Sequence, residues 1–227
     1  MVILDMPLFS FGGKMLSILM TPFNDTDTFS IQHKAIVETI DTEHEIICTL
    51  LDGDNMREWF EVYFAEHNIR YMLVPDLGYT NLINILAARA HGDYLYYVSP
   101  YTVIGSDVGW GRRAISALSA KDSVCGGLLS ATINDINCTG LFLPIRTFHI
   151  LGYYNMPLFE TSVYGTRWAA SILTDAGRLV NIPCGVEYNV TPHNDNYTTD
   201  RDMFNVTRAG RMMTLARLSE FMEKKDD

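Results

Sequence analysis

A chain of 227 residues, 48% of them hydrophobic, is long enough for one substantial core or at most two small ones. Its formal net charge of −10 would repel a polyanion over most of the surface. That excludes general nucleic-acid binding through phosphate neutralisation and leaves a small anion in a pocket as the ligand class to look for. No run approaches the roughly 20 apolar residues that span a bilayer. The start, MVILDMPLFSFGGK, shows neither a basic leader nor an apolar stretch with a small-residue cleavage site. Cys48, Cys125, Cys138 and Cys184 are too scattered for a disulfide framework or a metal knuckle, so a reducing cytoplasm is the expected compartment.

Leu16 to Thr21, LSILMT, is a short apolar run closed by Pro22 and the turn-rich FNDTDT, and it reads as a buried strand running into a loop. Ile31, Ala35, Ile36 and Ile40 then recur at helical spacing, and Glu45 to Leu51 is β-branched and apolar again. The turn LDGDN leads to Asn55, an expected N-cap with Glu58 placed as in a capping box, before a helix carrying Trp59, Phe60, Tyr63 and Phe64. Ile69 to Pro75 is the third strand. Thr80 is the expected cap of a further helix through Leu82, Ile83, Leu86 and Ala87, and Gly92 is expected to end it with positive φ. Tyr94 to Ser99 is the fourth strand.

Strands alternating with helices through short turns imply a mainly parallel sheet covered on both faces. Ligands of such sheets sit beyond the carboxyl ends of the strands. Those ends carry Phe23 and Asn24, then Asp52 to Asp54, then Asp76 to Gly78, then Ser99 to Thr102, four loops expected to converge on one mouth. The second half reads as a helix through Trp110 and Leu118, apolar runs at 123–130 and 140–144, a helix through Val163, Trp168 and Ile172, and a strand over 179–183. A polar loop is expected from His193 to Asp200, then an amphipathic helix from Thr207 to Lys224 with Leu215, Leu218 and Met222 on one stripe.

These pieces, in this order, resemble the family-2 glycosyltransferases of the GT-A fold over roughly residues 16–193. LSILMTPFN is similar to the family's first strand and nucleotide loop, LLDGDN to its second-strand Asp-Gly signature, GDYLYYV to its metal strand, CTGLFLPIRTFHILGYY to an acceptor-side segment, and FETSVYGTRW to the helix start that bears its acidic pair. The resemblance implies a three-layer α/β/α fold with a mainly parallel mixed sheet. It divides the chain into an extension (1–15), a GT-A-like domain (16–200) with a nucleotide half to about 104 and an acceptor half beyond it, and a C-terminal amphipathic helix (201–227).

The same resemblance implies a nucleotide diphosphate sugar, UDP-linked, as substrate. Pro22 and Phe23 would hold the base, Asp52 and Asp54 would bind it, and Gly78, Asn84, Ser99 and Tyr101 would line the donor side. Glu160 would take the acceptor's proton. The departures gather at one corner: the family's Asp-x-Asp reads Ser99-Pro100-Tyr101, its second helix acid is Thr161, its late histidine aligns with Asn189 with His193 nearby, and its arginine beside Asn84 is Ile83. A divalent cation, Mn or Mg, loses its expected carboxylates there, so transfer with weak or no metal dependence is the expectation. Arg112, Arg113, Arg146 and Arg167 are candidates to replace it as phosphate clamps.

Each residue also has a plainer reading: Phe23 as turn packing, the aspartates as turn formers, Asn84 as a core polar group and Glu160 as a dipole-complementing helix acid. A catalytically inactive GT-A-fold binding or assembly module is therefore the alternative, and a nucleotidyltransferase with a similar sheet ranks behind both. Besides the nucleotide sugar, the expected partners are a glycan or other acceptor and a second copy of the chain through the C-terminal helix, with no nucleic acid.

Overall fold

Strands β1 (Leu16–Met20) and β4 (Tyr94–Val98) are buried at every position, which is what a central strand with helices on both faces requires. The computed structural model describes residues 14–22, 25–100, 102–121, 124–130, 140–159, 162–183, 186–188 and 195–223. From the amino end, β1, α1 (Thr26–Thr39), β2 (His44–Leu51), α2 (Arg57–Glu66), β3 (Arg70–Val74), α3 (Tyr79–Arg89) and β4 follow one another. Leu16 pairs with His44 on one side and Tyr94 on the other, and Ile47 with Arg70, so β3, β2, β1 and β4 run parallel.

The rest of the described chain is β5 (Thr102–Ile104), α4 (Trp110–Ser119), β6 (Gly126–Ser130), β7 (Leu141–Pro144), α5 (Ile145–Leu151), α6 (Ser162–Asp175), β8 (Leu179–Pro183), β9 (Val186–Tyr188), α7 (Asp195–Val206) and α8 (Arg208–Glu223). Among the described residues the main sheet has the order β3-β2-β1-β4-β7-β6-β8, with β7 antiparallel to β4 and β6, and a separate β5-β9 pair. One face buries Phe29, Phe60, Phe64 and Trp110 from α1, α2 and α4. The other buries Ile83, Leu86, Trp168 and Leu218 from α3, α6 and α8. The expected three-layer α/β/α architecture with a mainly parallel mixed sheet is the one observed.

Several local expectations are corrected. Helix α1 begins at Thr26, inside the expected loop, because Asp25 caps it: its Oδ1 accepts from the Thr28 N–H at 2.9 Å and its Oδ2 from the Thr28 hydroxyl at 2.6 Å. Its buried stripe is Phe29, Gln32, His33 and Ile36, while Ile31 is 68% exposed. The cap of α2 is Met56, not Asn55; Asp54 satisfies this end, accepting from Met56 N at 2.7 Å through Oδ1 and from Arg57 N at 3.1 Å through its carbonyl. The cap of α3 is Gly78 with φ +76°, and Thr80 lies within the helix, donating to the Phe159 carbonyl at 2.6 Å.

Gly92 has no positive φ; it is glycine because an added Cβ would lie 2.6 Å from Ser17 Oγ and 2.7 Å from Ser17 N. Helix α7 occupies much of the expected polar loop and runs across residue 200. On α8, Leu218 is buried and Leu215 packs against the same core, while Met212 and Met213 are exposed. None of the described helices is long and apolar enough to cross a membrane.

Candidate functional site

The chain winds from β1 out to β3 and then returns to the far side of β1 as β4, so the crevice between β1 and β4 is the switch point of the sheet. Beneath it three hydroxyls meet. Thr21, at the end of β1, shares a 3.0 Å hydrogen bond with Tyr97 Oη, and Tyr79 Oη, from the first residue of α3, meets the same Tyr97 oxygen. Above them opens a shallow cleft lined by Thr21, Pro22, Asp25, Thr28, Gln32 and Pro100 among others. The hydrogen bonds from Thr28, first through its side chain and then through its backbone, hold the Asp25 carboxyl below its ordinary value and keep it ionised at the rim.

The corner between β4 and β5 is built by Gln32. Its Nε2 donates to the Ser99 carbonyl at 2.8 Å and to the Thr102 carbonyl at 2.7 Å. Within the corner, Ser99 N donates to Thr102 Oγ1 at 3.0 Å, the two hydroxyls lie 3.0 Å apart, and Thr102 N donates to Ser99 O at 2.9 Å. Ser99, expected to face the donor, is 1% exposed and engaged on all its polar groups, which makes it a turn former here.

At the end of β2 the Asp52 N–H is fixed to the Val74 carbonyl at 2.8 Å, and the carboxylate projects into solvent, where Arg57 Nη1 meets Oδ1 at 3.1 Å. Arg57 Nε in turn meets Glu61 at 2.9 Å, one helical turn further along α2. Asp54 is occupied at the start of α2, as described above. Gly78 receives Asp76 Oδ1 on its N–H at 3.0 Å, and its positive φ lets the β3 loop turn directly into α3. Pro22, Asp52, Asp54 and Gly78 thus all sit on the carboxyl-end loops, as expected.

Asn84 does not reach the cleft as a ligand. Its Oδ1 accepts from Tyr154 N at 2.8 Å and Asn155 N at 2.9 Å, and its Nδ2 donates to Asn155 O at 2.7 Å, so it ties α3 to the segment before α6. The arginine candidates are elsewhere. Arg112 pairs with Asp41 at 2.9 Å and Arg113 with Asp107 at 2.5 Å, where Gly109 N bonds the last residue of α1. Arg146 follows Pro144, which pairs with the first residue of β4, so all three lie toward the amino ends of the parallel strands. Arg167 lies over the rings of Tyr164 and Phe204 at 5.8 and 5.5 Å.

Phe23, Tyr101, Glu160, Thr161, Asn189 and His193 lie outside the described residues. Sequence reasoning missed Gln32, the hydroxyl trio and Arg57. Arg57 left a trace in its i,i+4 spacing to Glu61; a glutamine at i+3 from a buried phenylalanine gives no comparable sign of two long-range carbonyl bonds. For a divalent cation, no group of three His, Cys, Asp or Glu side chains that could hold one occurs among the described residues. Ser99 has no carboxylate to offer, so the described part of the corner does not fit such an ion.

This strand order, with helices on both faces of a mainly parallel mixed sheet, is that of the GT-A-like fold. Among solved structures, a 1–349 fragment of S. aureus TarS matches with TM-score 0.63 and 11% identity over 89% of this chain and 70% of that one. A mycobacterial protein matches with TM-score 0.64 and 12% identity over 91% and 80%. Glucosyl-3-phosphoglycerate synthase from Mycobacterium tuberculosis, solved with Mn2+, UDP and glucosyl-3-phosphoglycerate, matches with TM-score 0.57 and 10% identity over 93% and 85%. The chain spans 42% of the longer TarS structure. TarS has also been solved with UDP and with UDP-GlcNAc. No family model and no curated protein sequence matches this chain. At these identities the likeness is one of fold.

Proposed function

We propose that the chain binds a UDP-linked sugar in the crevice between β1 and β4 and transfers the sugar to an acceptor hydroxyl without a tightly held metal. The reading is supported by the switch-point crevice between β1 and β4, lined by Thr21, Pro22 and Asp25, in a fold whose solved neighbours hold UDP and UDP-GlcNAc. The acceptor oxygen attacks the sugar's anomeric carbon, the bond to the diphosphate breaks with its electron pair leaving on UDP, and Glu160 takes the acceptor's proton. Calorimetric titration of UDP with and without manganese tests it. Binding unchanged by the metal and weakened by Asp52→Ala is expected; no binding at millimolar UDP would overturn the reading.

One observation favours a second reading, a binding module without catalysis. Ser99 is closed into its turn by Gln32 and Thr102, leaving the described corner without a charge for the leaving diphosphate. That reading predicts UDP binding with no release of UDP from UDP-sugars at any metal concentration.

A further inference from the structure

Three arginines gather where α6 meets the turn between α7 and α8, in a chain whose formal net charge is −10. The Arg167 guanidinium lies over the rings of Tyr164 and Phe204 at 5.8 and 5.5 Å, and that of Arg211 over Phe204 and Trp168 at 3.9 and 5.3 Å. Two cations thus share one aromatic ring. Arg208 is exposed and opens α8, and Arg211 lies one turn further on, at the helix end where the dipole disfavours positive charge. Burial lowers the Arg211 pKa; Asp175 opposes this, and Arg208 and Arg167 lower it further, so both neighbouring charges reach it. Arg57, Arg70, Arg112 and Arg113 each face a carboxylate. Among the described residues, Arg167, Arg208 and Arg211 face none, and their guanidinium hydrogen bonds come down to one, from Arg211 Nη1 to the Phe204 carbonyl at 2.5 Å.

We propose that Arg167, Arg208 and Arg211 form a binding site for a phosphate monoester, separate from the crevice between β1 and β4. None of the three lines that crevice, and the inference does not depend on the nucleotide reading. Contact with the faces of Tyr164, Phe204 and Trp168 fixes where two of the guanidiniums sit without using their N–H donors. A phosphate monoester brings a charge of about −2 and three strong acceptor oxygens. Guanidinium groups bind such oxygens two at a time, and a doubly charged group offsets a repulsion that folding alone leaves in place. A carboxylate, with one charge and two oxygens, matches three cations less well. The phosphoryl group belongs to a soluble ester or to a lipid headgroup, which share this chemistry.

The test is calorimetric titration of inorganic phosphate, exchanged against chloride at constant ionic strength, into the full chain and its Arg208→Gln and Arg167→Lys variants. Arg112→Gln is the control, removing an equal charge from a pair with Asp41. Arg208 is exposed and joined to no acid, so Arg208→Gln is expected to keep the fold, which an unchanged urea midpoint checks. Saturable binding is expected, weakened about fivefold or more by Arg208→Gln and by Arg167→Lys, the scale of a hydrogen bond to a charged group, and unaltered by Arg112→Gln. Because Arg167→Lys keeps the charge, its effect reads guanidinium geometry rather than net charge. Phosphatidylcholine vesicles with and without phosphatidic acid separate the two sources. Sedimentation with phosphatidic acid that Arg208→Gln abolishes assigns the group to a lipid headgroup, and phosphate binding without it assigns a soluble ester. No saturable phosphate binding, or binding weakened no more by Arg208→Gln than by Arg112→Gln, would overturn the proposal.

Discussion

The hydroxyl of Tyr154 accepts a hydrogen bond from the backbone N–H of Tyr97 at 3.0 Å and donates to the Leu141 carbonyl. The antiparallel ladder between β4 and β7 pairs Tyr94 with Pro144, Leu95 with Leu143 and Tyr96 with Phe142, and ends there. Continued by one step it would join Tyr97 to Leu141. Tyr154 stands in that place, so the strands separate at the level of the mouth without orphaning buried backbone groups. Complete burial raises the phenol pKa well above its usual value and keeps the proton on the oxygen. Tyr154→Phe leaves both groups without that partner and is expected to cost about 2–6 kcal/mol, from about 1–3 kcal/mol per buried unsatisfied group. Urea denaturation of the two proteins measures it.

Gln32 supplies two hydrogen bonds to the corner that follows β4. Gln32→Ala is expected to destabilise the fold by about 1–3 kcal/mol. Its sharper signature is local: amide exchange at Ser99 and Thr102 to Ile104 should accelerate more than that of β1 or β2, and hydrogen-exchange mass spectrometry reads this directly.

Gly92 and Gly53 are glycines for different reasons. An added methyl at Gly92 would meet Ser17 N at 2.7 Å and Met15 O at 2.9 Å, backbone atoms of the adjacent strand segment, whereas at Gly53 nothing lies within 4 Å and only φ +94° resists. Gly92→Ala is therefore expected to cost about 2–3 kcal/mol through overpacking, and Gly53→Ala about 1 kcal/mol through backbone strain. Thermal melting of the two variants should rank them in that order.

The alternation of apolar runs with helical stripes made β1 to β4 and their three helices legible in the sequence, since a strand buried on both faces is apolar throughout. Helix ends were less legible, because capping is decided by which nearby side chain reaches the first N–H groups: Asp54 took the role expected of Asn55, and Asp25 capped α1 inside a stretch that read as loop. The strand-end loops were legible too, and Pro22, Asp52 and Gly78 stand on them. Ser99 and Asn84 turned inward because their bonds are to Thr102 and Asn155, three and seventy-one positions away in the chain. Tertiary partners of that kind leave no periodic signal.

His33 lies in an aromatic nest, its Nδ1 3.0 Å from Tyr63 Oη and its ring 4.9 Å from that of His67. Burial first, and then the neighbouring His67 and His44, lower its pKa from 6.5 to about 4. The unfolded chain then binds a proton here that the folded chain refuses between those values, so stability rises with pH in that window. The contribution is fully present above about 6.5 and is lost as pH falls toward about 4. His33→Gln, neutral throughout, should flatten the change in urea midpoint between pH 7 and pH 5.

The claim that the β1–β4 crevice is a nucleotide site independent of metal is tested most directly by hydrogen exchange with and without UDP in the presence of EDTA. Slowed exchange at Thr21, at Asp25 to Thr28, at Asp52 to Asp54 and at Gly78, with β8 and α8 unaffected, is the predicted result. Unchanged exchange in those loops at millimolar UDP, or protection that appears only when manganese replaces EDTA, would contradict it.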